Sequence, residues 1–246
     1  MDKKVREDVH TTGVPALCQA CEARHRGVCG ALNTDQLVSL SKHSVRRKVV
    51  PGTELVGEEQ DVSQYANVIG GVVKLTKMLS DGRQQIVGLQ FAPDFLGRPF
   101  SRSSRFSAEA ATEVELCSFS KGLIDRMIDQ SPDLEHKLLE QTLKELDEAR
   151  DWMLTLGRKS AGEKVASFLF LIASHIDPDI DSHEGPIAFE LPLKRSDIAD
   201  FLGLTIETVS RQITKLRNAG IIEVDNNRTV IVPDLERLRG ACELDS

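Results

Sequence analysis

At 246 residues the chain is long enough for two domains, each with its own buried core. A net charge of -7 excludes a uniformly basic surface, and five cysteines, an odd number, do not make a simple disulfide framework. The densest apolar run, Val165 to Ala173, is about half of the roughly 20 residues a membrane-spanning helix needs. The opening Met1 to Asp8 has no apolar stretch behind it, so neither a membrane span nor a secretory leader is expected. The expectation is a soluble, cytoplasmic protein, and in a reducing cytosol cysteines serve metals or redox chemistry rather than disulfides.

In chain order the first signal is a cysteine cluster. Cys18, Cys21 and Cys29 lie within twelve residues, and Cys117 stands far along the chain. Thiolates so spaced can wrap a soft metal from one short loop, and a distant fourth ligand would tie that loop to another part of the fold. His25 offers a competing set, C-x2-C-x3-H-x3-C, close to a zinc knuckle and complete without Cys117. Spacing alone does not separate zinc from an iron-sulfur cluster. Disulfide sensing by the same thiols is a further alternative, and an inert strand thiol is the plain reading of Cys117. Strand alternation, however, sets Cys117 opposite Val114 and Leu116, so it need not face the core. Arg24, His25 and Arg26 either offset thiolate charge or are simply solvated. Cys242 has no partner at useful spacing.

From about Val45 to Phe119 the pattern is one of short strands and turns. Tyr65 to Lys77 is rich in Val and Ile, Asp81-Gly82 reads as a tight hairpin turn, and Val87, Leu89 and Phe91 alternate on one face beyond it. Pro51-Gly52 and Ala92-Pro93-Asp94 mark further turns, and Val114 to Phe119 reads as a closing strand. These elements predict a small antiparallel barrel or jelly roll.

Helix follows. After Ser131-Pro132-Asp133, the residues Leu139, Thr142, Leu146, Ala149, Met153 and Leu156 recur at alternating spacings of three and four, a heptad seam with charged residues on the other faces. One narrow apolar stripe on a long helix suits pairing with a second copy, and Thr142 and Ala149 keep that pairing weak. The alternative is a helix packed on its own barrel. Gly157 ends or bends it, and Ser160 with Glu163 forms a capping box for the next helix. The expected domains are a cysteine-rich loop (1–30), a β-barrel domain (31–130), a dimerisation helix (131–157) and a C-terminal domain (158–246). The fold class is α+β.

Within the last segment, Ile187, Phe189, Leu191 and Leu193 alternate as a strand, and Ile221 to Val232 reads as a hairpin turning at Asn226-Asn227. Between them Ser196 to Arg211 has the pattern of a helix-turn-helix. Ser196 is placed to cap the first helix, Ile198 and Leu202 face inward, small Ala199 permits close contact, and Gly203 gives the turn its freedom. Thr205 caps the second helix, Val209, Ile213 and Leu216 form its buried stripe, and Glu207, Ser210, Arg211, Lys215 and Asn218 lie outside. Arg can bridge two acceptors on guanine, Glu can accept from cytosine, and Ser serves either way. All three sit near the helix N-terminus, which meets base edges in such motifs. The segment from Pro192 to Arg217 carries five basic residues against three acids, so charge is locally favourable to DNA despite the net value. The hairpin completes a winged helix-turn-helix.

The order of barrel, long helix and winged helix-turn-helix, with the string Leu202 to Arg211, resembles the CRP/FNR family of bacterial transcription regulators across nearly the whole chain. The cysteine triplet with a lone cysteine at the end of the barrel resembles the FNR type, in particular the alphaproteobacterial FnrN and FnrL branch. That resemblance implies an oxygen-labile [4Fe-4S] cluster on Cys18, Cys21, Cys29 and Cys117. It also implies a homodimer, RNA polymerase as a partner, and Glu207, Ser210 and Arg211 reading TTGAT-type half-sites of a palindromic double-stranded DNA. The seven-residue gap between Cys21 and Cys29 is longer than in the enteric protein and fits the alphaproteobacterial branch. Cyclic nucleotide is not expected, because Pro93-Asp94 and Arg105-Phe106 stand where the CRP pocket has Gly-Glu and Arg-Ser. A redox enzyme with a regulatory domain is the rival of a different class, but neither a nucleotide-binding glycine loop nor a Gly-x-Ser-x-Gly elbow supports it. A same-fold sensor of haem or a nucleotide is the remaining alternative.

Overall fold

The computed structural model describes residues 13–176, 185–226 and 228–243. Two compact units divide the chain: Met1–Lys77 with Val87–Leu146, and Met78–Ile86 with Asp147–Ser246.

The first unit opens with three short helices, α1 (Ala16–Gln19), α2 (Glu22–His25) and α3 (Thr34–Lys42), with a 3-10 turn at Val28–Ala31. Asn33 and Gln36 start α3 by a reciprocal capping box, at 3.0 and 2.9 Å. Eight strands follow: β1 (Val45–Val49), β2 (Glu54–Val56), β3 (Gln64–Gly70), β4 (Val73–Met78), β5 (Gln84–Gln90), β6 (Phe95–Leu96), β7 (Ser107–Ala110) and β8 (Val114–Ser120). They form two four-stranded sheets, ordered β1-β8-β3-β6 and β2-β7-β4-β5. Of the expected barrel or jelly roll, the sheets form the second: an open, jelly-roll-like pair rather than a closed barrel. Among the described residues no ladder joins the two sheets, and the β2 and β6 members are only three and two residues long.

Alternation sorts the side chains. Ala66, Val68, Val114 and Leu116 point into a core with Val73, Ala108 and Ala110. The other face of the same sheet carries Tyr65 and Phe119, which pack with Leu37, Leu40 and Ile124 in a second core. The hairpin forms where Asp81-Gly82 predicts it. Gly82 adopts φ +87 and the Asp81 carboxylate accepts from the Arg83 backbone N–H at 3.1 Å. Beyond it the Val87 face of β5 is turned outward: Ile86 and Gln90 are buried while Val87 is exposed, and Phe91 is buried just past the strand. The turn fixes register, and register decides the face.

Helices α4 (Lys121–Gln130) and α5 (Pro132–Arg158) follow β8, and α5 runs unbroken through Gly157. Of the seam residues, Leu139, Thr142, Leu146, Ala149 and Met153 are exposed and Leu156 is half-buried. Leu143 and Leu154 are exposed as well, so the apolar face is broader than the narrow stripe expected. Leu134 and Leu138, near the start of α5, are packed away in the core that also holds Cys29.

In the second unit the Ser160 and Glu163 capping box starts α6 (Ala161–Ile176), with the Glu163 carboxylate 2.6 Å from the Ser160 N–H. The Val165–Ala173 run is the buried core of this helix, and Trp152 and Phe168 both pack on Phe201, with ring centroids 4.6 and 6.0 Å apart. Strand β9 (Ile187–Glu190), helices α7 (Arg195–Leu202) and α8 (Ile206–Asn218), strands β10 (Glu223–Asp225) and β11 (Thr229–Val232), and helix α9 (Leu235–Ala241) complete the unit. The wing sheet is ordered β10-β11-β9, its turn holds Asn226 at φ +49, and Asn227 lies outside the described residues. No helix among the described residues is long and apolar enough to cross a membrane.

Candidate metal centre and nucleic-acid interface

The four cysteines singled out by sequence line one pocket. Three come from the N-terminal segment: Cys18 in α1, Cys21 at the N-cap of α2, and Cys29 in the 3-10 turn. The fourth, Cys117, projects from the middle of β8 on the face away from Val114 and Leu116, as alternation requires. Cys117 pairs in register with Arg46 on one side and with Asn67 on the other, so these three residues form a row across the sheet beneath the loop. Arg46 Nη2 donates to the Leu17 carbonyl and so holds the residue before Cys18. Asn67 Nδ2 donates to Cys29 Sγ at 3.1 Å.

Arg24 also lines the pocket and is buried, whereas Arg26 is exposed. His25 is turned to the Gln19 carbonyl, 3.0 Å from its Nε2, and is not part of the lining. Cys117, and not His25, lines the pocket with the three loop cysteines. Among the described residues no three His, Cys, Asp or Glu side chains are arranged to hold a single metal ion. The cysteines share a pocket rather than a closed ligand sphere.

Electrostatics describe what that pocket favours. Burial pushes the Cys29 thiol up to about 12, and burial followed by repulsion from Cys21 and Cys117 raises Cys18. Cys117 is raised by burial, against a hydrogen bond from Ser44. Without a cation these thiols stay protonated, because each thiolate would be desolvated beside another. A soft polycation reverses the balance, and four sulfurs with no oxygen ligand form a donor set that fits an iron-sulfur cluster or zinc.

The second site is the outer face of α8. Gly203 ends α7 at φ +63, and Thr205 starts α8 with its hydroxyl accepting from the Thr208 N–H at 3.2 Å. The cap expected at Ser196 falls instead at Lys194, placing Ser196 inside the first turn of α7. Val209, Ile213 and Leu216 are buried. Glu207, Ser210 and Arg211 are exposed side by side in the first two turns, with Lys215 beyond them. Hydrogen bonds from its own backbone N–H and then from the Thr205 hydroxyl hold the Glu207 carboxyl below the usual range. Arg211 reaches back to Thr208 Oγ1 at 3.3 Å. The arrangement offers a fork of donors and an ionised acceptor on one helix end.

Residues 46–131 match the cyclic nucleotide-binding domain, and residues 163–241 match the Crp-like helix-turn-helix domain. The chain belongs to the Crp/FNR family of transcription regulators. It is 56% identical over 233 residues to a probable transcriptional activator of Rhizobium leguminosarum bv. viciae, covering 95% of this chain and 96% of that one. It is 40% identical over 223 residues to the transcriptional activator protein FnrL of Cereibacter sphaeroides, covering 90% of each. Among solved structures FixK2 of Bradyrhizobium japonicum superposes with a TM-score of 0.73 at 31% identity, over 82% of this chain and 99% of that one. The Crp/FNR chain is thus a DNA-binding transcription regulator and not an enzyme.

Sequence reasoning passed over Arg46, Asn67 and Ser44 at the pocket. None has a local motif: Arg46 and Asn67 arrive by strand register with Cys117, and Ser44 lies just before β1.

Proposed function

We propose that the protein is an oxygen-responsive activator. In this reading Cys18, Cys21, Cys29 and Cys117 hold a [4Fe-4S] cluster, and the homodimer reads TTGAT-type inverted repeats through Glu207, Ser210 and Arg211 ahead of RNA polymerase. The observation that carries this reading is the convergence of three loop cysteines and Cys117 on one pocket while His25 points elsewhere. The cluster supplies an oxygen-labile cationic centre that keeps the four sulfurs ionised. The chain does the rest. Cys29 belongs to the same buried core as Leu134 and Leu138 of α5, one turn before the exposed face that begins at Leu139. Release of the loop withdraws Val28, Cys29 and Leu32 from that core, loosens the start of α5 and weakens its pairing with a second copy. Two half-sites held together bind far better than one, so weaker pairing lowers DNA occupancy strongly.

The test is anaerobic purification with iron and sulfide analysis, followed by an electrophoretic shift on a TTGAT palindrome under argon and in air. Visible absorbance and the shifted band are expected to disappear together on exposure to air. Arg211→Ala is expected to remove preference for the guanine while the spectrum and fold persist. Colourless anaerobic protein, or DNA affinity indifferent to air, would overturn the reading.

A further inference from the structure

Asn67 is an unusual residue to find buried in the outer face of β3. Its neighbours along that face and across it, Tyr65 and Phe119, are aromatic, and it is itself only 1% exposed. It spends its amide donor on Cys29 Sγ at 3.1 Å and leaves Oδ1 without a hydrogen-bond partner. A buried acceptor left unsatisfied costs stability, so packing does not account for an amide at this position. Leu or Val would fill a strand there without that cost.

Position supplies the account. Asn67 lies directly across from Cys117 in the ladder, so the residue that donates to one cysteine sulfur stands beside another. Once Cys29 is ionised, as a metal ligand must be, only the N–H orientation of the amide is attractive to the sulfur. The bond joins the 3-10 turn to the sheet at the point where the cysteine loop meets β8.

We propose that Asn67 is a positioning and tuning residue of the cysteine pocket: its N–H fixes the Cys29 sulfur over the β3–β8 ladder and governs how firmly a cluster is retained. Second-layer donors of this kind typically change metal retention by roughly tenfold or more. The inference rests on the cluster reading above, and it adds a residue from outside the cysteine set. Arg46 frames the opposite side of Cys117 but bonds the loop backbone rather than a sulfur.

The experiment uses the full-length chain reconstituted with iron and sulfide under argon, comparing wild type, Asn67→Leu and Asn67→Thr. Thr suits a strand, but its hydroxyl is too short to reach Cys29. Ser118→Ala is the control, since Ser118 is buried on the neighbouring position of β8 facing the opposite side. Two quantities are read besides DNA binding: the rate at which a ferrous chelator removes iron, and the terminal iron–sulfur stretching frequency by resonance Raman. Loss of the N–H donor is expected to speed iron removal by roughly tenfold and to move a terminal stretch to higher frequency, because sulfur relieved of the hydrogen bond gives more electron density to iron. Ser118→Ala is expected to leave both unchanged.

If wild type loads iron and sulfide, and either folded Asn67 variant matches its release rate and Raman spectrum, the inference is overturned while the cluster reading stands. A variant that releases iron faster with no Raman change marks a merely structural role and also overturns it. If wild type takes up neither iron nor sulfide, the cluster reading itself fails.

Discussion

Leu146→Ala tests whether the apolar face of α5 is a pairing surface. In the single chain Leu146 is 44% exposed. Full burial of a Leu side chain is worth about 1.5–3 kcal/mol, so covering the remaining part contributes about 1 kcal/mol per copy. A two-fold interface uses the residue twice, which makes the loss about 2 kcal/mol per dimer and the weakening roughly 30-fold. Alanine is the better helix former, so the isolated helix does not suffer from the change. Sedimentation equilibrium of the anaerobic, iron-loaded protein measures the dimerisation constant directly. Leu139, at 54% exposure, gives an independent second site with the same expected direction. A dimerisation constant unchanged in both variants would refute the assignment of this face.

Two further outcomes follow from local structure. Thr205→Ala removes the hydroxyl that accepts from the Thr208 N–H and is expected to cost about 1 kcal/mol in the denaturant unfolding of the second unit, with Thr205→Asn retaining most of it. Burial raises the Cys242 thiol, whose Sγ lies 3.3 Å from the Leu238 carbonyl. Because the folded value lies above the unfolded one, the unfolded chain releases its proton first as pH rises, and the stability present below about 8.5 is lost above it. The unfolding midpoint is expected to fall as pH rises above about 8.5, and Cys242→Ala to lessen the fall; an equal fall in both proteins would refute the assignment. At neutral pH iodoacetamide should leave Cys242 unmodified in the native protein.

Local chemistry made much of this molecule legible before any coordinates. Asp81-Gly82, Gly203, Thr205 and the Ser160/Glu163 pair each carry their own instruction in side-chain reach or backbone freedom, and each acts where it was expected. What escaped depends on partners distant in sequence. The burial of Ile86 rather than Val87 follows from register, the separation of the sheets follows from which edges find ladders, and the cap at Lys194 lies two residues before Ser196 and makes no side-chain hydrogen bond. At the pocket the cysteine pattern picked out four thiols that line one cavity. The residues that surround it could not be read, because Arg46 and Asn67 gain their meaning only by lying opposite Cys117.

The placement of Cys117 makes the pocket mechanically lopsided. β8 is hydrogen-bonded to a neighbour along both edges, while Cys18, Cys21 and Cys29 ride on helical turns of four residues each. One side of the pocket is therefore stiff and the other compliant. In the proposed function, a change at the sulfurs would therefore move the N-terminal segment before the sheet. Of the four cysteines it is Cys29 that shares a core with Leu134 and Leu138, so the 3-10 turn would carry that movement toward α5.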